Sequence, residues 1–242
     1  MNHPQPSFSF ELFPPKTPEG LAKLSASIDR MNAVGPEYFS VTYGAGGSTR
    51  DCTFAALDLL LAKGIAAAPH LACIGSSRTE VRAILDRYRA QGIRRLVALR
   101  GDLPSGMGLG TAGDFRYANE LVSFIRQETG DHFRLEVAAY PEVHPQAGNA
   151  DQDLANFQRK VAAGANAAIT QYFYNADAYF AFVDRCAGRG IKIPILPGIM
   201  PITNFSQLAR FSDACGAEIP RWLRKRLEAM GDDIEAIRAF GH

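Results

Sequence analysis

Cysteine and any long apolar run are scarce in this sequence, and each scarcity excludes something. Four cysteines, Cys52, Cys73, Cys186 and Cys215, are scattered along the chain, with no C-x-x-C pair and no histidine at zinc-site spacing. We read all four as small buried hydrophobes or spectators, and no metal is expected. No apolar run approaches the roughly 20 residues a membrane span needs, and the stretch from Met1 to Ser7 carries neither a charged run nor an apolar signal segment. A cytoplasmic protein without membrane contact is expected. Charge of one sign is missing too: 26 basic and 25 acidic residues leave a net charge of +1. That balance removes the electrostatic case for nucleic acid or an anionic surface as partner and leaves a small molecule. Assembly with further copies of the same chain is open.

What is present is a repeat of strand and helix. Seven short segments rich in β-branched and aromatic residues recur: Phe8–Phe13, Tyr38–Thr42, Ala66–Ala72, Leu96–Arg100, Leu135–Tyr140, Ala168–Phe173 and Ile193–Leu196. Between them Leu21–Met31, Thr53–Ala62, Thr79–Gln91, Tyr117–Gln127, Asp151–Ala163 and Ala176–Arg189 show helical apolar spacing. The alternation predicts an α/β fold with a parallel sheet, and a strand count near eight favours a TIM-type (β/α)8 barrel over an open sheet. A chain of 242 residues suits one such domain, which typically takes about 250. After the seventh strand come a polar helix near Phe205–Ala214 and another around Arg221–Phe240, and no eighth strand is found before His242. Three explanations stay open: unusual barrel closure, a strand supplied by a partner, or further sequence.

The chemistry-bearing residues gather at predicted strand ends, the edge of a parallel α/β fold where ligands bind. Arg94-Arg95-Leu96-Val97-Ala98-Leu99-Arg100-Gly101-Asp102 places a carboxylate where an apolar run breaks into a loop; a turn aspartate capping the next helix is the alternative. In the first strand, alternation puts Phe8, Phe10 and Leu12 on the side of the helix layer and turns Glu11 inward near Pro14-Pro15. Beside Phe10 and Phe13, a poorly hydrated Glu11 carboxyl has its pKa raised and can act as an acid near neutral pH. A rim glutamate paired with Lys16 is the plainer alternative.

Other signals are weaker. The glycines of Thr42-Tyr43-Gly44-Ala45-Gly46-Gly47-Ser48-Thr49-Arg50 lack dinucleotide-fingerprint spacing and read equally as loop and cap. Gly106-Met107-Gly108-Leu109-Gly110 reads as a flexible loop. His70 and His144 terminate strands on the ligand edge, without partners for a metal site. On the helix from Asp151, Asp153, Asn156 and Lys160 share one face with Arg159 beside them, opposite a stripe of Leu154, Phe157 and Val161. That face suits a ligand bearing hydroxyls and phosphates, or it is an ordinary solvated surface. Gln171 sits among aromatics on the sixth strand, where an amide suits the edge of a heterocycle such as a pterin. Gln207 and Phe211 fall on one helix face.

Six stretches together resemble the methylenetetrahydrofolate reductase family: Phe10-Glu11-Leu12-Phe13-Pro14-Pro15-Lys16, Ser40-Val41-Thr42-Tyr43-Gly44-Ala45, Pro69-His70-Leu71, Ala98-Leu99-Arg100-Gly101-Asp102, Ala139-Tyr140-Pro141-Glu142-Val143-His144 and Ile169-Thr170-Gln171. The resemblance runs from Phe8 to about Phe240. It implies a (β/α)8 barrel that holds FAD and passes a hydride from NAD(P)H to 5,10-methylenetetrahydrofolate, giving 5-methyltetrahydrofolate by a ping-pong route. Position by position, Glu11 matches the acid that protonates folate N10. Asp102 matches the acid near the flavin pyrimidine edge, where a carboxylate makes the reduced flavin a stronger donor and steadies a cationic iminium. Gln171 and Gln207 match folate contacts, and Phe211 an aromatic that stacks on nicotinamide or the folate side chain in turn. Thr42, Tyr43, His70, Arg100, Gly101, Tyr117, Ala118, Tyr140, His144, Asp153, Asn156, Arg159 and Lys160 match FAD-contacting positions.

The family continues into an eighth strand and helix carrying a tyrosine and an arginine that help hold nicotinamide and the folate glutamate tail; neither is found here. The alternative function is therefore a non-catalytic or flavin-free folate-binding relative, or a subunit whose partner completes the barrel. An aldolase-like barrel would want a Schiff-base lysine inside a strand, and no predicted strand interior contains one.

Overall fold

The computed structural model describes residues 7–43, 50–101 and 113–241. They form two compact units, Met1–Val137 and Ala138–His242. In the first unit the elements run β1 (Phe10–Leu12), α1 (Pro18–Asn32), β2 (Phe39–Val41), α2 (Arg50–Ala62), β3 (Ala67–Ala72), α3 (Arg78–Ala90), β4 (Arg95–Leu99) and α4 (Ala118–Thr129), and the unit ends inside β5 (Arg134–Ala139). Each strand pairs in parallel with the next, from β1 with β2 to β4 with β5. The second unit carries α5 (Ala150–Ala162), β6 (Ala167–Tyr172), α6 (Ala176–Gly188), β7 (Ile195–Gly198), α7 (Phe205–Cys215), α8 (Arg221–Met230) and α9 (Ile234–Gly241). Its strands β6 and β7 are also parallel. This is the strand and helix alternation of a TIM-type α/β barrel; among the described residues no strand follows β7.

Local chemistry sets the helix starts. Thr17 accepts the Gly20 N–H at 3.1 Å with Pro18 at the first helical position, a combination that suits α1 because proline lacks the donor left over there. Ser77 and Glu80 satisfy each other's backbone N–H in a capping box that opens α3. Asn149, Asn175 and Asn204 cap α5, α6 and α7 with their side-chain oxygens.

The first unit's core is apolar: Phe39, Val41, Leu57, Leu60, Leu71, Leu96 and Leu121 are fully buried. At the starts of β4 and β5 that core closes around a buried carboxylate. Glu136, wholly inaccessible, accepts from Arg95 Nη1 at 2.7 Å and from the Tyr38 hydroxyl at 2.8 Å, while Arg95 also bonds Glu37 and lies 4.0 Å over the Tyr38 ring. A charge so placed needs these partners, since an unpaired buried carboxylate would be costly. The second unit packs Tyr172, Ile202, Leu208, Ile219, Leu223, Leu227 and Ile237 together.

Several predicted boundaries move. The strand expected over Phe8–Phe13 pairs only from Phe10 to Leu12; Leu12 is buried, but Phe8 and Phe13 stand 42% and 68% exposed. Five strands, β2 to β6, begin one residue away from their expected starts because the ladder follows backbone pairing, not the apolar run: β4 opens at Arg95 instead of Leu96. The seventh strand starts at Ile195, after Pro194, instead of at Ile193. His70 is not a strand terminator but lies inside β3. Pro69 sits where β3 stops pairing with β2 and starts pairing with β4. The helix expected over Arg221–Phe240 is two helices. Gly231, at φ 55°, ends α8, and Asp233 starts α9 by accepting the Ala236 N–H at 3.0 Å.

Candidate functional site

In the first unit the site begins with Glu11. Its register partner on β2 is Ser40, and its Oε2 lies 3.6 Å from His70 Nε2 on β3. That is too long for a hydrogen bond and close enough for charge on one group to be felt by the other. The side chain Glu11 approaches is thus His70, whereas no contact with Lys16, the plainer alternative, is found among the described residues. Its side chain keeps 46% of its surface open, yet crowding by surrounding protein desolvates the carboxyl and raises its pKa. His70 is 6% exposed, its Nε2 has no hydrogen-bond partner among the described residues, and burial pushes its pKa down to about 4. It is a neutral imidazole at neutral pH. The expected wall of Phe10 and Phe13 is half present: Phe10 packs against Phe39 with centroids 5.7 Å apart, whereas Phe13 points to solvent.

Around this pair the first unit offers backbone and small groups. Thr42 donates its N–H to Leu12 O at 3.0 Å, and its carbonyl accepts the Thr53 hydroxyl at 2.9 Å. Tyr43 is half-buried with its pKa raised by desolvation. Arg100 follows β4 and its carbonyl accepts the Ile74 N–H at 2.8 Å. Gly101, at φ 84°, leaves room where a Cβ would stand 2.8 Å from Ala72 Cβ and 3.1 Å from Ile74, so no other residue fits without a shift. Tyr117, 58% exposed, precedes Ala118, the first residue of α4. Asp102, the Gly44–Thr49 glycine loop and the Gly106–Gly110 loop lie outside the described residues.

The second unit builds a polar cluster on α5 and the loop after β5. Lys160 is drawn in: its Nζ donates to Ala138 O at 2.5 Å and burial lowers its pKa to about 8, with Asp153 opposing the fall. The face read as ligand-binding or merely solvated therefore carries a desolvated ammonium. Asp153 Oδ2 accepts the His144 N–H at 3.0 Å. His144 Nδ1 accepts the Gln146 N–H at 3.0 Å, which leaves the ring proton on Nε2, and the ring meets Tyr140 edge-on with centroids 4.5 Å apart. Asn156 is hydrogen-bonded to the exposed Arg159. A buried cation resting on one carbonyl, beside amide, imidazole and guanidinium groups, fits an anionic ligand that also carries hydroxyls.

The same unit holds the amides. Gln171 on β6 folds back so that its Oε1 accepts the Tyr172 N–H at 3.0 Å, and its amide NH2 has no acceptor among the described residues. Gln207 is exposed in the first turn of α7, its N–H capped by Asn204 at 2.8 Å. Phe211, one turn later, is 46% exposed and stacks on the Tyr172 ring at 5.8 Å and 12°. Reasoning from the sequence missed Tyr172 and Ser212, joined by a buried 2.8 Å hydroxyl bond. The signal was available: strand alternation turns Tyr172 to the face opposite Gln171. Among the described residues no cluster of three or more His, Cys, Asp or Glu could hold a metal, and no helix is long and apolar enough to cross a membrane.

Known proteins resemble the whole chain. The family model described as methylenetetrahydrofolate reductase matches residues 1–242. The 5,10-methylenetetrahydrofolate reductase of Escherichia coli (strain K12) is 44% identical over 238 residues, which cover 98% of this chain and 78% of that protein. The protein named methylenetetrahydrofolate reductase (NADH) 1 of Arabidopsis thaliana is 39% identical over 249 residues, covering 98% of this chain and 42% of its own. A solved structure of an uncharacterised protein from Clostridium thermocellum, described as binding two copies of 5-methyl-5,6,7,8-tetrahydrofolic acid, has the same fold, with a TM-score of 0.68 at 18% identity over 95% of this chain and 78% of that one.

Proposed function

Because this chain belongs to the methylenetetrahydrofolate reductase family, we propose that it reduces 5,10-methylenetetrahydrofolate to 5-methyltetrahydrofolate at the expense of NAD(P)H, with FAD as its cofactor. The observation that carries this reading is Glu11, a carboxyl whose raised pKa, beside a neutral buried imidazole, suits it to hold a proton for a basic nitrogen. FAD, when bound, supplies a two-electron carrier that nicotinamide can reduce and folate can reoxidise.

The residues of this chain divide the labour. Lys160, Asn156 and Arg159 are suited to the anionic and hydroxylated parts of the cofactor, and Asp153 and His144 hold one another in place for it. Tyr140, Thr42, Tyr43, His70, Arg100, Gly101, Tyr117 and Ala118 are its remaining proposed contacts. Glu11 gives its proton to folate N10; the bond from that nitrogen to the methylene carbon breaks, and N5 keeps the methylene as a cationic iminium. Asp102, outside the described residues, is proposed to steady that cation as a carboxylate. Gln171 donates through its amide NH2, Gln207 offers a second amide, and Phe211 a flat apolar surface.

The test is optical. The purified protein is expected to be yellow, to bleach under NADH, and to regain its flavin absorption when methylenetetrahydrofolate is added. Bleaching with no return on folate addition would overturn the folate assignment, and a colourless protein that takes up no FAD would overturn the cofactor.

A further inference from the structure

Phe211 stacks on a tyrosine whose hydroxyl is paired in the interior. The Tyr172 ring is 6% exposed at the end of β6, and Ser212, 2% exposed, follows Phe211 on α7. Their hydroxyls meet at 2.8 Å, and the Cys215 thiol points at the same tyrosine oxygen from 3.5 Å. Buried hydroxyls are costly when unpaired, so this pair favours one tyrosine rotamer and acts together with the buried Leu208 on the rotation of α7 about its axis. The Tyr172 ring in turn backs Phe211 in a near-parallel stack, while Tyr174 meets it edge-on with centroids 5.7 Å apart. The stack leaves the other face of Phe211 to solvent, and Gln207 stands one turn earlier on the same helix. Elsewhere α7 is anchored by Leu208, which is buried in the core of the second unit, and at its two ends. Asn204 caps its start, and at its finish Gly216, at φ 74°, lies so close to Pro145 that a Cβ there would be 2.8 Å from the ring.

We propose that Tyr172, latched to Ser212, is a positioning residue for the substrate: it holds Phe211 flat as a platform for a planar heteroaromatic ligand, the folate of the reading above. The proposal rests on that reading. Tyr172 does not touch the ligand; it acts through Phe211.

The variants Tyr172→Phe, Ser212→Ala and the pair together separate positioning from stability. Each single change leaves one buried hydroxyl without its partner and lowers the melting temperature, whereas the double change removes both hydroxyls and recovers much of that loss. If the latch positions Phe211, the double variant still shows a KM for methylenetetrahydrofolate, and a calorimetric Kd for 5-methyltetrahydrofolate, raised about threefold to tenfold, with kcat changed less than KM. Wild-type KM and Kd in the double variant would overturn the proposal, as would defects that simply track melting temperature and vanish with it. A wild-type chain that binds no 5-methyltetrahydrofolate in the same titration would instead overturn the functional reading, and the platform with it.

Discussion

Lys160 is where stability and ligand binding oppose each other most directly. The ammonium is desolvated in the second unit, with its pKa brought from 10.5 to about 8. At 1.36 kcal/mol per pH unit that fall corresponds to about 3 kcal/mol of disfavoured charge. Residual solvent contact reduces the figure to about 2 kcal/mol. Replacing Lys160 with methionine removes this penalty but leaves the Ala138 carbonyl without its donor, at a cost of about 1 kcal/mol. The cofactor-free Lys160→Met protein should therefore be about 1 kcal/mol more stable than wild type at pH 7, a melting rise of about 2–4 °C for a chain of this size.

The sign with pH follows from linkage. Below about pH 8 the lysine is charged in folded and unfolded chains alike, and the whole penalty is present; between about 8 and 10.5 the unfolded chain binds more protons. Wild-type stability should then gain from rising pH in that window relative to the methionine variant, so that the two become equal within it and then cross, the wild type ending about 1 kcal/mol ahead once the penalty is gone. The same substitution removes a charge-assisted bond to an anionic cofactor and should weaken FAD binding by about tenfold to a hundredfold. Urea unfolding of both cofactor-free proteins from pH 7 to 10, with FAD titration followed by flavin fluorescence, checks both arms. A variant less stable than wild type at pH 7, or one that binds FAD equally well, would refute the reasoning.

Three further outcomes are expected. Glu11→Gln should still bleach under NADH yet stay bleached when methylenetetrahydrofolate is added, and in the unaltered protein reoxidation by folate should slow as pH rises through the elevated Glu11 pKa, because the protonated carboxyl is the donor; stopped-flow absorbance reads both, and normal reoxidation in the variant would remove the acid role. Glu136→Gln should lose about 3–5 kcal/mol in urea unfolding, since Arg95 would keep its charge among buried groups without its full partner; a loss under about 1 kcal/mol would show that the network is not needed. Burial pushes the Cys73 and Cys186 thiols up to about 12 and 11, so iodoacetamide at pH 8 should modify Cys52 and Cys215 first, as read by peptide mass spectrometry.

The sequence showed the order of elements more clearly than their edges. Apolar runs mark which residues lose water, while strand limits are drawn by backbone pairing; Arg95 pairs in β4 although its side chain belongs to the Glu136 network. The third strand runs through Pro69, where proline is tolerated because β3 hands over there from one neighbour to the other. The break between α8 and α9 was written as Gly231-Asp232-Asp233, a stop followed by a cap, but the apolar spacing on both sides runs in similar phase and hid it.

For the site, the division falls between groups whose environment is local and those whose environment is not. Glu11 was legible because strand alternation and the following Pro14-Pro15 fix which way it points. Lys160 was ambiguous because helical spacing places it on a polar face, and spacing is silent about whether a strand-end carbonyl lies within reach of a long, flexible stem. Tyr172 was overlooked because an aromatic at a buried strand position reads as core, which it is; its hydroxyl partner lies 40 residues further along the chain. These cases share one physical cause. Glu11, His70 and Lys160 are each biased by desolvation toward the uncharged form, the acid upward and the two bases downward. A sequence names the groups that titrate but not the water they lose. It follows that the residues best able to hold or surrender a proton are the ones whose properties appear only once the chain is folded, and that measurements of pH dependence will locate them more reliably than residue type.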